Sequence, residues 1–162
     1  MRLLMLILLT VFALPAQAGK LFACRDASGH IAFVESVSDG LYVGDSRGVW
    51  FLSGTDPTKF EQRRVSTCRA VARSSIMVPP EHFPPKQVPA EAPVAVWLST
   101  SGYVVGMSGG TTVELQPDRL KVPSGLTGRS AFLLREGRKQ LVTPVNSTST
   151  ATFGTAVDSV IG

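Results

Sequence analysis

Two pentapeptides, Gly44-Asp45-Ser46-Arg47-Gly48 and Gly106-Met107-Ser108-Gly109-Gly110, fit the G-x-S-x-G pattern that can present a serine nucleophile. Such an elbow needs a strand before the serine, a helix after it, and an acid and then a histidine downstream. No histidine follows Ser108, and the only one after Ser46 is His82, which stands in a Pro-rich stretch. Strand-like residues follow both pentapeptides, so both read as turns. His30 and His82 with the scattered carboxylates give no metal-ligand spacing, and no phosphate-cradling loop or dinucleotide fingerprint occurs. The sequence therefore assigns no catalytic, cofactor-binding or metal-binding residue, and the expectation is a non-enzyme without a cofactor.

Two further sets of residues carry chemistry of a different kind. Cys24 and Cys68 are the only cysteines. In an oxidising compartment they can bridge, closing a loop worth about 4 kcal/mol in unfolded-state entropy; in a reducing one they are two buried thiols. Lys59, Arg63, Arg64, Arg69 and Arg73 form a basic cluster opposed only by Glu61. A charge run of this kind is ordinarily a solvated face. Its sharper reading is a phosphate-binding patch, and nucleic acid is a conceivable partner on charge alone, with a formal net charge of +4. No aromatic residue is interleaved there to stack bases.

The elements that must position these residues are strands. Ser38 to Leu52 recurs imperfectly as Ser101 to Leu115, and Gly40, Val43, Gly44, Ser46 and Gly48 align with Gly102, Val105, Gly106, Ser108 and Gly110. Each copy is a short apolar strand, a Gly/Ser turn and a second apolar strand, the pattern of a β-hairpin. Ala131–Arg135 and Lys139–Thr143 flank Glu136-Gly137-Arg138, a three-residue hairpin loop. Asn146 to Thr155 is Ser/Thr-rich and reads as loop or incomplete edge, with a glycosylation-type Asn146-Ser147-Thr148. Residues 57–73 admit helix, from Asp56-Pro57 and the spacing of Phe60, Val65, Cys68, Val71 and Ala72, or strand; strand is the reading taken. Only 17% of residues are charged, with 15 Gly and 11 Pro, as many short strands joined by turns require. Trp50 and Trp97 both lie on hairpin strands and are expected in the core, with Trp50→Ala costing about 3–5 kcal/mol.

Arg2, the apolar run Leu3 to Leu14 and Ala16-Gln17-Ala18 make a secretory leader cut after Ala18, too short for a membrane span. The mature protein is then exported to the periplasm or medium, and meets the membrane only through an uncleaved leader. Residues 79–93 hold two proline pairs and read as a semi-rigid extended connector between two hairpin units, 19–78 and 94–162.

Two family resemblances add to this. Phe22, Cys24, Asp26 and Gly29, behind the leader, resemble the amino-terminal hairpin of secreted proteobacterial proteins of unknown function. Val37 to Gly44, Gly48 to Pro57 and Val96 to Gly106 resemble β-propeller-type virion proteins of tailed bacteriophages, over roughly residues 37–162. That second resemblance implies strand at 57–73, a place at the head–tail junction or tail, and other phage structural proteins as partners. It also implies a carboxy-terminal piece of a longer ancestral protein, as in a prophage remnant, because a closed propeller needs about four to eight blades. Less the fifteen residues of the connector, the repeat spacing fits the roughly 40–50 residues of a blade. The fold class expected is all-β: repeated antiparallel hairpins, incomplete propeller-like or sandwich-like, behind an N-terminal hydrophobic signal helix. The function expected is a phage-derived virion structural fragment that associates through its strand edges; the alternative is a small exported envelope protein binding a partner.

Overall fold

The computed structural model describes residues 31–117, 119–147 and, for the backbone, 156–157. The leader, Cys24, His30 and most of the expected 20–35 hairpin lie outside the described residues. The remainder is all-β, in three antiparallel sheets, none closed on itself. The first sheet is a meander of β1 (Ile31–Val37), β2 (Gly40–Asp45), β3 (Gly48–Ser53) and β4 (Glu61–Ser66). The second orders β5 (Ile76–Val78), β6 (Val94–Ser99), β7 (Gly102–Gly106) and β8 (Thr112–Glu114). The third is built on β11 (Arg138–Ser147), which pairs with β10 (Ala131–Arg135), β9 (Leu126–Gly128) and β12 (Ala156–Val157). Strand is thus what forms at 61–66. Among the described residues the only helical segments are single 3-10 turns, and no helix is long and apolar enough to cross a membrane.

Side-chain alternation along the strands decides how the sheets stack. Phe33, Tyr42, Val49 and Phe51 lie on one face of the first sheet and pack on Ala95, Trp97 and Val104 of the second. The Trp97 ring stacks 5.1 Å from that of Phe33 and lies 5.4 Å from that of Tyr42. The other face of the second sheet, with Val94, Val96, Leu98, Tyr103 and Val105, buries Leu141 and Val145 of the third. The middle sheet is accordingly covered on both faces, and every residue of β6 and β7 is buried.

The repeat superposes β1, β2 and β3 on β6, β7 and β8, and the equivalent faces meet. Phe33 answers to Ala95, Tyr42 to Val104 and Gly44 to Gly106, all at the one interface. Two of these positions must be glycine for space: a Cβ on Gly44 would sit 2.4 Å from the Phe33 ring, and one on Gly106 2.7 Å from that of Tyr42.

Four expectations change. Trp50 is only half-buried: it stands on the outer face of the first sheet, where among the described residues no second sheet covers it, with the Arg64 guanidinium 5.6 Å from the ring centroid. Residues 79–93 join β5 to β6 as a folded loop, not an extended spacer. Pro80 opens a 3-10 turn to His82, and Phe83 and Val88 are buried in the main core, so apolar burial outweighs proline stiffness. The last hairpin turns on two residues, not three: Glu136 (φ 50°) and Gly137 (φ 74°) are both left-handed, and Arg135 pairs with Arg138. That matches the type I′ turn, whose twist suits the flanking strands. The stretch read as loop from Asn146 begins inside β11, where Asn146 and Ser147 pair with Thr127 and Leu126.

Candidate functional site

Neither serine pentapeptide builds an elbow. Ser46 lies in the β2–β3 turn and a strand follows it. Ser108 opens a 3-10 turn before β8, and its hydroxyl meets that of Ser38 at 2.6 Å. The His82 ring stacks on Phe132 at 4.6 Å, against the third sheet. Among the described residues no three His, Cys, Asp or Glu side chains group closely enough to hold a metal.

The five basic residues are set on different surfaces. Lys59 forms an exposed ion pair with Asp56 at 3.7 Å. Arg63 and Arg64 are consecutive on β4 and so point to opposite faces: Arg63 donates to the Gly109 carbonyl at 2.7 Å, Arg64 to that of Arg47. Arg69 lines a cleft and Arg73 is exposed. Cys68 is half-buried just after β4, its backbone N–H donating to Ser66 Oγ at 3.1 Å.

The segment 69–74, expected as strand up to residue 73, forms only isolated bridges at Ala70 and Ala72 and ties the three sheets together. Arg73 N–H donates to Ala32 O of the first sheet, Val71 N–H to Leu98 O of the second, and Gly128 N–H of the third to Ala72 O. Reaching all three forces Arg73 into a left-handed conformation at φ 65°. Ser74 is fully buried: its hydroxyl donates to Val71 O at 2.8 Å, with Leu98 O farther at 3.3 Å, and accepts from the Leu98 N–H at 3.1 Å. Tyr103 Oη donates to Thr143 Oγ1 at 2.9 Å, and Ser130 joins Thr143 to the Ser74 carbonyl. Among the described residues no base stands beside these hydroxyls, which cross-link the sheets. Their signal was faint, since Ser and Thr scattered in strands carry no period.

Where segment 69–74 crosses the sheet ends it walls a cleft of about 250 Å³. Its lining is mostly apolar, from Ile31, Val71 and Leu126, with Thr100, Ser46 and Arg69 as polar groups. Asp45 also reaches this wall, but its carboxylate is fully buried and already occupied. It accepts from the backbone N–H of Arg47 (2.8 Å) and Gly48 (3.0 Å), from the Trp50 indole (3.3 Å) and from the Arg47 guanidinium (3.2 Å). The Asp-x-x-Gly spelling of this turn was its legible signal, because Asp bonds the backbone two residues on. Among the described residues the cleft offers contact surface and one cation, and its only carboxylate, Asp45, is already bonded.

A second polar set fastens the first two sheets at their rim. Tyr42 Oη lies 2.6 Å from Met107 O and 3.0 Å from Thr111 O. Asp39 Oδ2 accepts from Gly109 N–H at 2.7 Å. Burial pushes the Tyr42 hydroxyl far above the ordinary phenol range; Asp39 adds to the rise and Arg63 opposes it. The native state thus holds this proton more tightly than the unfolded chain, whose phenol titrates near about 10. The stabilisation is whole below that pH and falls as pH rises beyond it. Tyr42→Phe should cost about 1–3 kcal/mol at neutral pH by stranding buried carbonyls. Urea titrations at pH 7 and pH 11 should show the variant losing less stability between them than the parent; an equal loss would refute the assignment.

No protein-family model, curated protein or solved structure matches this chain.

Proposed function

We propose that this chain is a non-enzymatic structural module of the tailed-phage virion class, which works by stacking small antiparallel sheets against neighbouring protein. The observation that carries the reading is the open stack: three sheets lie face on face, the middle one covered twice and each end sheet once. Four-stranded antiparallel sheets packed by their faces are the blades that propellers repeat. The propeller-like equivalence runs by sheet order, β1–β4 with β5–β8, whereas the internal repeat relates β1–β3 to β6–β8 through like faces. Three sheets whose outer faces no other described sheet covers form an incomplete set that a neighbour completes. The serines spent on turns, and a cleft whose one described carboxylate is already bonded, favour a contact role over a chemical one.

The test is location. Phage induction in a strain carrying the gene, followed by density-gradient separation and mass spectrometry, should place the chain in the particle fraction as a product beginning at Gly19. Recovery wholly in the periplasm, with no capsid or tail protein alongside, would favour the exported envelope protein instead.

A further inference from the structure

We infer that the outer face of the first sheet is a dimerisation surface, occupied by the same face of a second copy of this chain. On that face lie Val34, Leu41, Val43, Trp50 and Leu52, set side by side by the pairings Val34–Val43–Trp50 and Leu41–Leu52. Phe60 packs beside them. Val34 is 52% exposed and Trp50 and Leu41 are half-buried, whereas Val43 and Leu52 are only 4% exposed beneath Leu41, Trp50 and Phe60; among the described residues no other sheet lies over this face. The inference rests on the contact-module reading only in taking this surface as one that binds protein.

Three observations point to a β-sheet of this same chain as the occupant. First, the repeat equates Val34, Leu41 and Val43 with Val96, Tyr103 and Val105, and that face of the second sheet is wholly buried under a sheet. Second, Gly48–Ser53 reads GVWFLS and Val94–Ser99 reads VAVWLS, continuous apolar runs of the kind found where both faces of a strand are covered. Third, the two repeats already meet by their like faces, so like-on-like stacking is a geometry these surfaces adopt within one chain. A twofold contact of this kind uses the same patch on both molecules and closes at two.

The charges permit it. Asp45, Arg47 and Arg64 lie together at the β2–β3 turn rim, bonded to one another, with Arg64 over the Trp50 ring, and leave the centre of the face apolar. Four strands of about six residues give a footprint of about 20 Å by 20 Å. That is modest beside the roughly 800 Å² of accessible surface per partner in a standard interface. The dimer is therefore weak, with a Kd on the order of 10–100 μM.

Sedimentation of the full chain from about 5 to 500 μM should show a monomer–dimer equilibrium that stops at two, with Trp50 becoming less accessible to acrylamide as dimer forms. Val34→Arg, at an exposed position, should keep the monomer fold and raise Kd at least tenfold. Leu133→Arg, on the third sheet, should leave Kd unchanged. A monomer throughout would overturn the inference, including one whose own residues 1–30 shield Trp50. So would a dimer indifferent to Val34→Arg, or open-ended association that Leu133→Arg abolishes, which would mark head-to-tail stacking. None of these outcomes decides whether the chain travels with phage particles.

Discussion

Trp97→Ala is expected to cost about 3–5 kcal/mol, the range for deleting a large buried aromatic side chain. Trp97 is fully buried at the centre of the interface between the first two sheets, in ring contact with Phe33 and Tyr42. Its loss would open a cavity walled by both sheets, which cannot close without sliding one over the other. Against a domain stability of about 5–15 kcal/mol this is a large share. For a chain of this length it lowers the melting temperature by about 10 °C or more. Trp50→Ala should cost less, about 1–3 kcal/mol, since that ring is half in solvent and loses its contact with Arg64 and its indole bond to Asp45. Trp97→Phe should fall well below Trp97→Ala: the smaller ring keeps the stack on Phe33 and removes an indole N–H with no hydrogen-bond partner among the described residues. Differential scanning calorimetry of the three variants checks the order. Equal losses at Trp50 and Trp97 would mean that both faces of the first sheet are core.

Asp45→Ala should cost about 3 kcal/mol, because it removes a fully buried carboxylate that accepts from the Arg47 and Gly48 backbone, the Trp50 indole and the Arg47 guanidinium. Asp45→Asn separates the two parts of that cost. An amide oxygen can still accept from the Arg47 and Gly48 backbone, but its NH2 faces two further donors, so a loss of about half is expected. Denaturant titration of the pair reads the difference. If Asn and Ala lose equally, the side-chain donors dominate; if Asn is silent, the turn alone matters. A silent Asp45→Ala would show that the β2–β3 hairpin holds without its cap.

Strand positions and turns were largely legible in the sequence, since both follow from local chemistry. Short apolar runs marked β2, β3, β6 and β7, and glycines and serines marked their turns. The repeat was visible too, because it lies in residue identity. What the sequence left open was which face of each strand is inside. Trp50 and Trp97 occupy similar apolar runs, and only the stacking of sheets buries one and leaves the other at the surface. The Pro-rich loop shows the same division: its composition excluded regular structure, while the core decided that Phe83 and Val88 would fold it inward. Segment 69–74 was unreadable for a related reason. Its bonds run to Ala32, Leu98 and Gly128, distant positions whose carbonyls and N–H groups carry no residue signature. Local propensity is written in each residue, but the partner of a face or of a backbone group exists only once the sheets have met.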